Sequence, residues 1–328
     1  MKIIDSHFHW WPSKFFESLC SKTTYPRVEK TANGFRYWRR EGEPPRFSPG
    51  PVWLDLDRQF EYMDSLGHEV SVVCSIGPLS VHFSDVGVEE GYDAAMLWNE
   101  EMARVAKEHS GRLWASAAIP LVDTDIAIKV LDHAVGELGL MGVNLPGSIG
   151  SDPYLDADRL EPFYRRVAEL GVPAFLHPTD AIFPDHLQGY DGALHLSLGR
   201  VIEVSVAASR LILSGMMERN PGLKIVMSHT GGALPYQSGR MDKNGTAANL
   251  PKPPSHYIRR MYTDTVTPHA LGMRFALDYY GIDHVMYGSD YPCWDPKETL
   301  RYLGELELPE DTMQAILHDN AVRILNLK

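Results

Sequence analysis

Eight short runs rich in apolar and β-branched residues recur along this chain, separated by longer stretches of helical periodicity. The runs are Lys2–His7, Val70–Ile76, Leu113–Pro120, Met141–Pro146, Pro173–His177, Lys224–His229, Met261–Val266 and Val285–Asp290. Between them, Asp93–His109 places Met96, Leu97, Met102 and Val105 at helical spacing. Thr124–Leu138 opens on a cap-like Thr124 and continues through Ile128, Val130 and Leu131; Asp158–Leu170 and Pro268–Tyr280 follow the same pattern. Strands that alternate with helices pair in parallel, because a parallel connection needs a crossover long enough to hold a helix. Eight such units in 328 residues predict an α/β fold, a (β/α)8 TIM barrel. The structural alternative is an open doubly wound sheet, but no Gly-rich phosphate fingerprint follows the first strand, where that fold usually carries one.

Two segments break the rhythm. Residues 10–53 hold Trp10, Trp11, Tyr25, Phe35, Tyr37, Trp38, Phe47 and Trp53 among Pro and Arg. That stretch is too aromatic for plain solvent-exposed chain, so it is expected to be a lid, a pocket wall or an oligomer contact, with Trp10 as a candidate substrate contact. Residues 240–256 are polar and Pro-rich. Both are expected as loops at the C-terminal ends of strands, the barrel face that carries active sites. The expected organisation is one barrel domain over residues 1–328, with 10–53 inserted as a long aromatic-rich loop after the first strand.

Composition narrows the partners. Lys+Arg 31 against Asp+Glu 43 gives a net charge of -12, which repels phosphate backbones and anionic lipid. No nucleic-acid or membrane partner is therefore expected. The three cysteines, Cys20, Cys74 and Cys293, are odd in number and scattered, as suits a reducing cytosol. The opening MKIIDSHFHWWP has His and Asp where a signal peptide needs an apolar core. No apolar run approaches the ~20 residues that cross a bilayer. A cytoplasmic protein acting on a small molecule is the expectation.

The chemistry gathers at strand ends. His7 and His9 close the first run as Asp5-Ser6-His7-Phe8-His9, and residues two apart in an extended chain share a face. The fifth run ends in His177, the sixth in Ser228-His229-Thr230-Gly231-Gly232, and the eighth in Gly288-Ser289-Asp290. Barrel strand ends converge, so His7, His9, His177 and Asp290 can hold one divalent cation. Each could instead be a separate core or capping residue, but four in register at one end favour a metal site. Three imidazoles and a carboxylate suit Zn2+, with Mn2+, Fe2+ or Co2+ as alternatives, and leave a position open for water or substrate. His229 is a fifth ligand or a free base; with four ligands in place, the base role is preferred, beside Asp290. The fourth run, Met141-Gly142-Val143-Asn144-Leu145-Pro146, ends without the Lys that bridges two metals in many such barrels, so one metal is expected.

These residues resemble the amidohydrolase superfamily, within it the branch of aminocarboxymuconate-semialdehyde decarboxylase and the resorcylate and related aromatic-acid decarboxylases. The resemblance rests on Asp5–His9, Arg112–Pro120, Gly142–Gly147, Leu176–Asp180, Ser228–Arg240, Tyr262–Asp264 and Gly288–Pro292, in motif order. The stretches HTGGALPYQSGR and GSDYP are its most specific parts when taken together. The resemblance implies that His7, His9, His177 and Asp290 ligate the metal and that His229 is the catalytic histidine. It implies that Arg240 reaches a neighbouring subunit's substrate carboxylate, hence a homodimer, and that a lid arginine binds carboxylate. Arg46 is the match for that arginine, with Arg39 or Arg40 as alternatives; an Arg fork gives carboxylates two parallel charged hydrogen bonds. Thr179 stands where the family often has an aromatic residue, and the first loop is longer and richer in Trp than the pattern.

Two reactions fit. One is nonoxidative decarboxylation of an aromatic acid or muconate-like ring-cleavage carboxylate: the metal binds oxygens, His229 manages protons, an arginine grips an acid group, and Asp264, a candidate substrate contact, orients one of these groups or is equally a structural hydrogen-bond acceptor. The other is a hydrolase or hydratase that uses metal-bound hydroxide on a lactone, amide or unsaturated acid. The same residues serve both. A noncatalytic scaffold fits less well, because an open ligand position beside a free His is what catalysis needs.

Overall fold

The computed structural model describes residues 2–149, 155–180 and 184–327. Eight parallel strands form the frame: β1 (Lys2–Phe8), β2 (Glu69–Cys74), β3 (Leu113–Ala115), β4 (Val143–Pro146), β5 (Pro173–His177), β6 (Lys224–Met227), β7 (Tyr262–Asp264) and β8 (Val285–Met286). They run as two hydrogen-bonded arcs, β1-β2-β3 and β4-β5-β6-β7-β8, each in sequence order. Both seams are closed. At one, Ala117 bridges Val143 in parallel, and Asn144 N–H donates to Ala117 O at 2.9 Å. At the other, Phe8 bridges Tyr291, Ser6 N–H reaches Tyr287 O at 2.9 Å, and Asp290 N–H reaches His7 O at 2.8 Å. The sheet is therefore a closed barrel, and all eight runs foreseen from sequence supply its strands.

The crossovers are helices whose apolar faces repeat every three to four residues. Leu56–Asp64 buries Leu56, Phe60 and Met63, and Asp55 caps it by accepting from Arg58 N–H. Thr124–Asp132 buries Ala127, Val130 and Leu131. Its cap is Asp123, which accepts from Ile126 N–H, and not Thr124 as the sequence suggested; Thr124 Oγ1 donates to Arg159 O instead. Glu161–Leu170 stops at Gly171, whose φ of 68° suits a residue without Cβ. Val88–Glu108, Arg200–Leu213, Leu234–Asn244, Ala270–Tyr280 and Pro296–Gly304 complete the outer ring.

The core has two parts. Strand and helix side chains interlock in the layer between barrel and ring, where Val72, Leu145, Leu176 and Ile225 are fully buried. Each such side chain contributes about 1.5–3 kcal/mol relative to exposure. Inside the barrel, Ile4, Val73, Phe175, Val226 and Met286 pack on Ile324, Leu325 and Leu327 of the C-terminal segment, which plugs that end. The opposite end is left for function.

Residues 10–53 are not a loose loop. Helix Ser13–Leu19 and a hairpin of Arg27–Thr31 with Gly34–Trp38 fold over a small aromatic core in which Trp11, Phe15, Phe16, Phe35 and Tyr37 are buried. The second expected loop, 240–256, also departs from expectation. It begins inside helix Leu234–Asn244 and ends in helix Pro254–Ile258.

Candidate metal centre

Ile4 points into the barrel with Val73 and Met286, yet His7 lies three residues on, an odd step that strict alternation would send outward. The register explains the reversal. Asp5 pairs with Val72 and Phe8 with Cys74, so β1 spends three residues where its partner spends two. This bulge re-aims the end of β1 and brings His7 and His9 to the barrel mouth. Asp5 holds the bulge: Ser289 Oγ donates to its Oδ2 at 2.5 Å, and the backbone N–H groups of Ser289 and His7 donate to Oδ1. Burial pushes the Asp5 carboxyl up to about 6, against the lowering effect of these donors.

His7, His9, His177 and Asp290 offer ligand atoms that all lie within 4.8 Å of one another, and all four are buried. Their tautomers are set from behind. His9 Nδ1 donates to Ser75 O at 3.0 Å, His177 Nδ1 to Pro178 O at 2.7 Å, and His7 Nδ1 to Asp264 Oδ2 at 2.6 Å. A carbonyl or carboxylate oxygen only accepts, so each Nδ1 carries a hydrogen and each Nε2 is the edge left to take a proton or a metal ion. The Nε2 atoms of His7 and His177 are buried with no hydrogen-bond partner. His7 Nε2 and His9 Nε2 lie 3.3 and 2.9 Å from the same Asp290 Oδ1. Nitrogen lone pairs and a carboxylate buried face to face repel unless a proton or a metal cation stands among them. The donor set therefore fits a divalent metal ion, with three nitrogens and one oxygen.

The electrostatics agree. Burial opposes a charge on His7, but Asp290 and Asp264 outweigh it and push that imidazole up to about 10. Burial would raise Asp290, yet His7, His229 and His9 hold it well below the usual carboxylate range. Burial and the neighbouring imidazoles drive His177 well below its ordinary value. The pocket thus favours an anion at Asp290 and one positive centre beside it.

Two glycines make room. A Cβ on Gly77 would sit 2.4 Å from His9 Cε1, and the φ there is +65°. A Cβ on Gly288 would sit 2.8 Å from His7 Cβ and 3.0 Å from Asp264 Cβ. His229 and Asp290 themselves take left-handed backbone, with φ of 56° and 60°. Such conformations cost free energy and gather at sites where side chains must be aimed.

His229 completes the mouth. Its Nε2 is 3.5 Å from Asp290 Oδ2, and its Nδ1 is buried without a partner. Asp264 is engaged by four N–H groups. Its Oδ2 accepts from His7 Nδ1 and His229 N–H, and its Oδ1 accepts from Thr230 and Val266 N–H. It positions the cluster from below.

A cavity of about 760 Å³ opens beside His177, His229 and Asp290. Among the described residues, none from 10–53 lines it. Trp10 faces another surface depression with Glu17 and Lys30, and its indole N–H donates to Leu54 O. Trp53 is the aromatic that reaches the centre, stacked on His9 with ring centroids 6.0 Å apart. Arg39 is clamped between Asp85 and Asp180. Arg46 donates to Thr179 O at 2.5 Å and lies 3.4 Å from Asp180 Oδ1. Arg40 pairs with Glu43 at the surface. Arg240 is exposed on helix Leu234–Asn244, with no ion pair among the described residues. Arg200 lines the cavity and was missed. Nothing in Gly199-Arg200-Val201 sets it apart from an ordinary helix start.

Comparison with known proteins agrees with this geometry. The amidohydrolase family matches residues 4–327. A 2-amino-3-carboxymuconate-6-semialdehyde decarboxylase from Dictyostelium discoideum is 28% identical over 255 residues, covering 73% of this chain and 68% of that protein. A gamma-resorcylate decarboxylase from Rhizobium sp. (strain MTP-10005) is 27% identical over 307 residues, covering 86% of this chain and 92% of that protein. A solved dihydroxybenzoic acid decarboxylase from Polaromonas sp. JS666, with bound manganese and the inhibitor 2-nitroresorcinol, shares the fold at a TM-score of 0.79 and 22% identity. The match covers 99% of this chain and 96% of that one.

Proposed function

We propose, for a chain that belongs to the amidohydrolase family, that it is a metal-dependent nonoxidative decarboxylase of an aromatic or muconate-like acid. The observation that carries this reading is the set of back-anchored imidazoles aimed with Asp290 at one point, beside a largely apolar cavity wide enough for a ring. The names of the relatives support it, since both act as decarboxylases. A divalent ion held by His7, His9, His177 and Asp290 supplies a Lewis acid for carboxylate or phenolate oxygens. Three nitrogens and one oxygen favour Zn2+, and Mn2+ is the competing occupant.

The chain's own residues handle the proton. His229 Nε2 and Asp290 Oδ2, 3.5 Å apart, hold the proton delivered to the carbon that bears the leaving carboxylate. That carbon becomes tetrahedral, the C–C bond to the carboxylate breaks, its electron pair returns to the conjugated system, and CO2 departs. Asp264 keeps His7 and the His229 backbone in place. The apolar walls, among them Val201, Val266 and Trp294, exclude water from the reacting carbon.

The reading extends to assembly. Tyr236, 76% exposed, lies four residues before Arg240 and so on the same face of its helix. It touches Phe275, and exposed Leu271 lies on that second helix. A second copy of the chain covering this apolar face would carry Arg240 to the neighbouring mouth, and a dimer by sedimentation is the expected state. No helix among the described residues is long and apolar enough to cross a membrane. The reaction itself is tested in heavy-oxygen water with hydroxybenzoates and muconate-type acids. One CO2 per turnover with no solvent oxygen in the organic product is the expected result; label retained in that product overturns it in favour of hydrolysis or hydration.

A further inference from the structure

Arg39, Arg46 and Arg200 all reach the segment that follows His177, and their surroundings differ. Arg39 has a carboxylate on each side, and Arg46 is held by Thr179 O and Asp180. Among the described residues, Arg200 has no carboxylate within 4.0 Å and its side chain makes one hydrogen bond, from Nη1 to Pro178 O at 3.1 Å. The guanidinium has five N–H groups, so most of its donors are left for something else. Arg200 is also the only Lys or Arg among the described residues that line the 760 Å³ cavity. The cavity's acids are Asp290, at the cluster, and Glu298, exposed at the rim. His195 reports the local field: burial first, then Arg46 and Arg200, hold its pKa below the ordinary value. The opposing charge, Asp180, is engaged by Arg39 and Arg46.

The position relative to the metal centre is fixed by a shared acceptor. Pro178 O receives both Arg200 Nη1 and His177 Nδ1. Arg200 therefore stands by the Nδ1 edge of His177, whereas the free lone pair of that ring is on Nε2, at the opposite edge. A group at the cluster and a group on Arg200 are two different groups of one ligand, with the ring between them against the apolar wall. We propose that Arg200 is the carboxylate receptor of this cavity and that the substrate is an aromatic diacid, one acid group at the imidazole–carboxylate cluster and the second on Arg200. This rests on the decarboxylase reading above and names its substrate class. A charged, forked donor in a largely apolar cavity is well suited to a carboxylate.

The test is calorimetric binding to the zinc-loaded enzyme, with the unreactive probes isophthalate and benzoate. The wild type binds isophthalate about tenfold or more tighter than benzoate, the worth of one charged hydrogen-bonded pair. Arg200→Met abolishes that preference and leaves benzoate affinity and metal content unchanged, while Arg200→Lys restores part of it. A wild type without preference overturns the proposal before any variant is made. So does an Arg200→Met enzyme that keeps the preference, or an Arg240→Met enzyme that alone loses it. If no acid yields CO2, the decarboxylase reading fails while the binding preference still stands. If CO2 release is intact and the preference is absent, Arg200 alone is wrong.

Discussion

The floor of the mouth and its arginine rim are built in opposite ways. On the floor, the imidazoles of His7, His9 and His177 are each fixed from behind by an acceptor that is itself backbone or a fully engaged carboxylate, and the donor atoms are positioned before any ion arrives. On the rim, the cationic side chains come from an inserted hairpin region and a helix start; two are bonded to protein groups, and one keeps most of its donors free. The contrast separates two tasks. An ion tolerates little geometric error, so its ligands sit on strand ends that the barrel makes rigid. A substrate family varies, so its recognition sits on segments that can change without disturbing the strands.

The sharpest way to break this contrast is at the floor. His177→Ala removes a ligand that no rim residue can replace; metal content falls well below one per chain, and activity falls by about a thousandfold or more, the scale of a lost catalytic centre. Elemental analysis and kcat/KM check it, and a variant that kept both would remove His177 from the centre. Next is pH. His7 in the ion-free enzyme is pushed up to about 10, so a metal must displace a proton throughout the neutral range. Protonation competes below that value; metal affinity therefore rises with pH, by about tenfold per unit between pH 7 and 9. Affinity that is flat over this window would mean that His7 is already neutral. Asp264→Asn tests the anchoring: a partner of a ligating histidine is worth about 10–100-fold in metal affinity, with substrate affinity per loaded site unchanged. Trp10→Phe is the smallest. Losing the bond to Leu54 O costs about 1 kcal/mol in stability and leaves KM within error, because Trp10 does not line the cavity.

The eight strands and the cluster of His7, His9, His177 and Asp290 at their ends were legible because both signals are local. A β-branched run bounded by turns reads as a strand in any context, and a residue at its end inherits the position of that end. His229 was placed for the same reason. The rim was not legible. Arg46 and Arg240 came by resemblance, and neither lines the cavity within one chain; Trp10 was chosen for its type, and it borders a different depression. Arg200 carries no motif. Type and position left two roles open for Asp264, and only the structure shows that its oxygens are engaged by four N–H groups.

The amino-acid order alone specified a closed α/β barrel and the residues able to surround one cation, because periodicity and strand-end position survive without knowledge of contacts. Which way His7 and His9 point was decided in three dimensions, by one extra residue in β1 that pairing with β2 exposes. Which arginine keeps its charge free was decided there too, since compensation depends on carboxylates distant in the chain: Asp85 and Asp180 hold Arg39, and none stands within 4.0 Å of Arg200 among the described residues. Local propensity acts through neighbours in sequence, whereas direction and neutralisation depend on neighbours in space.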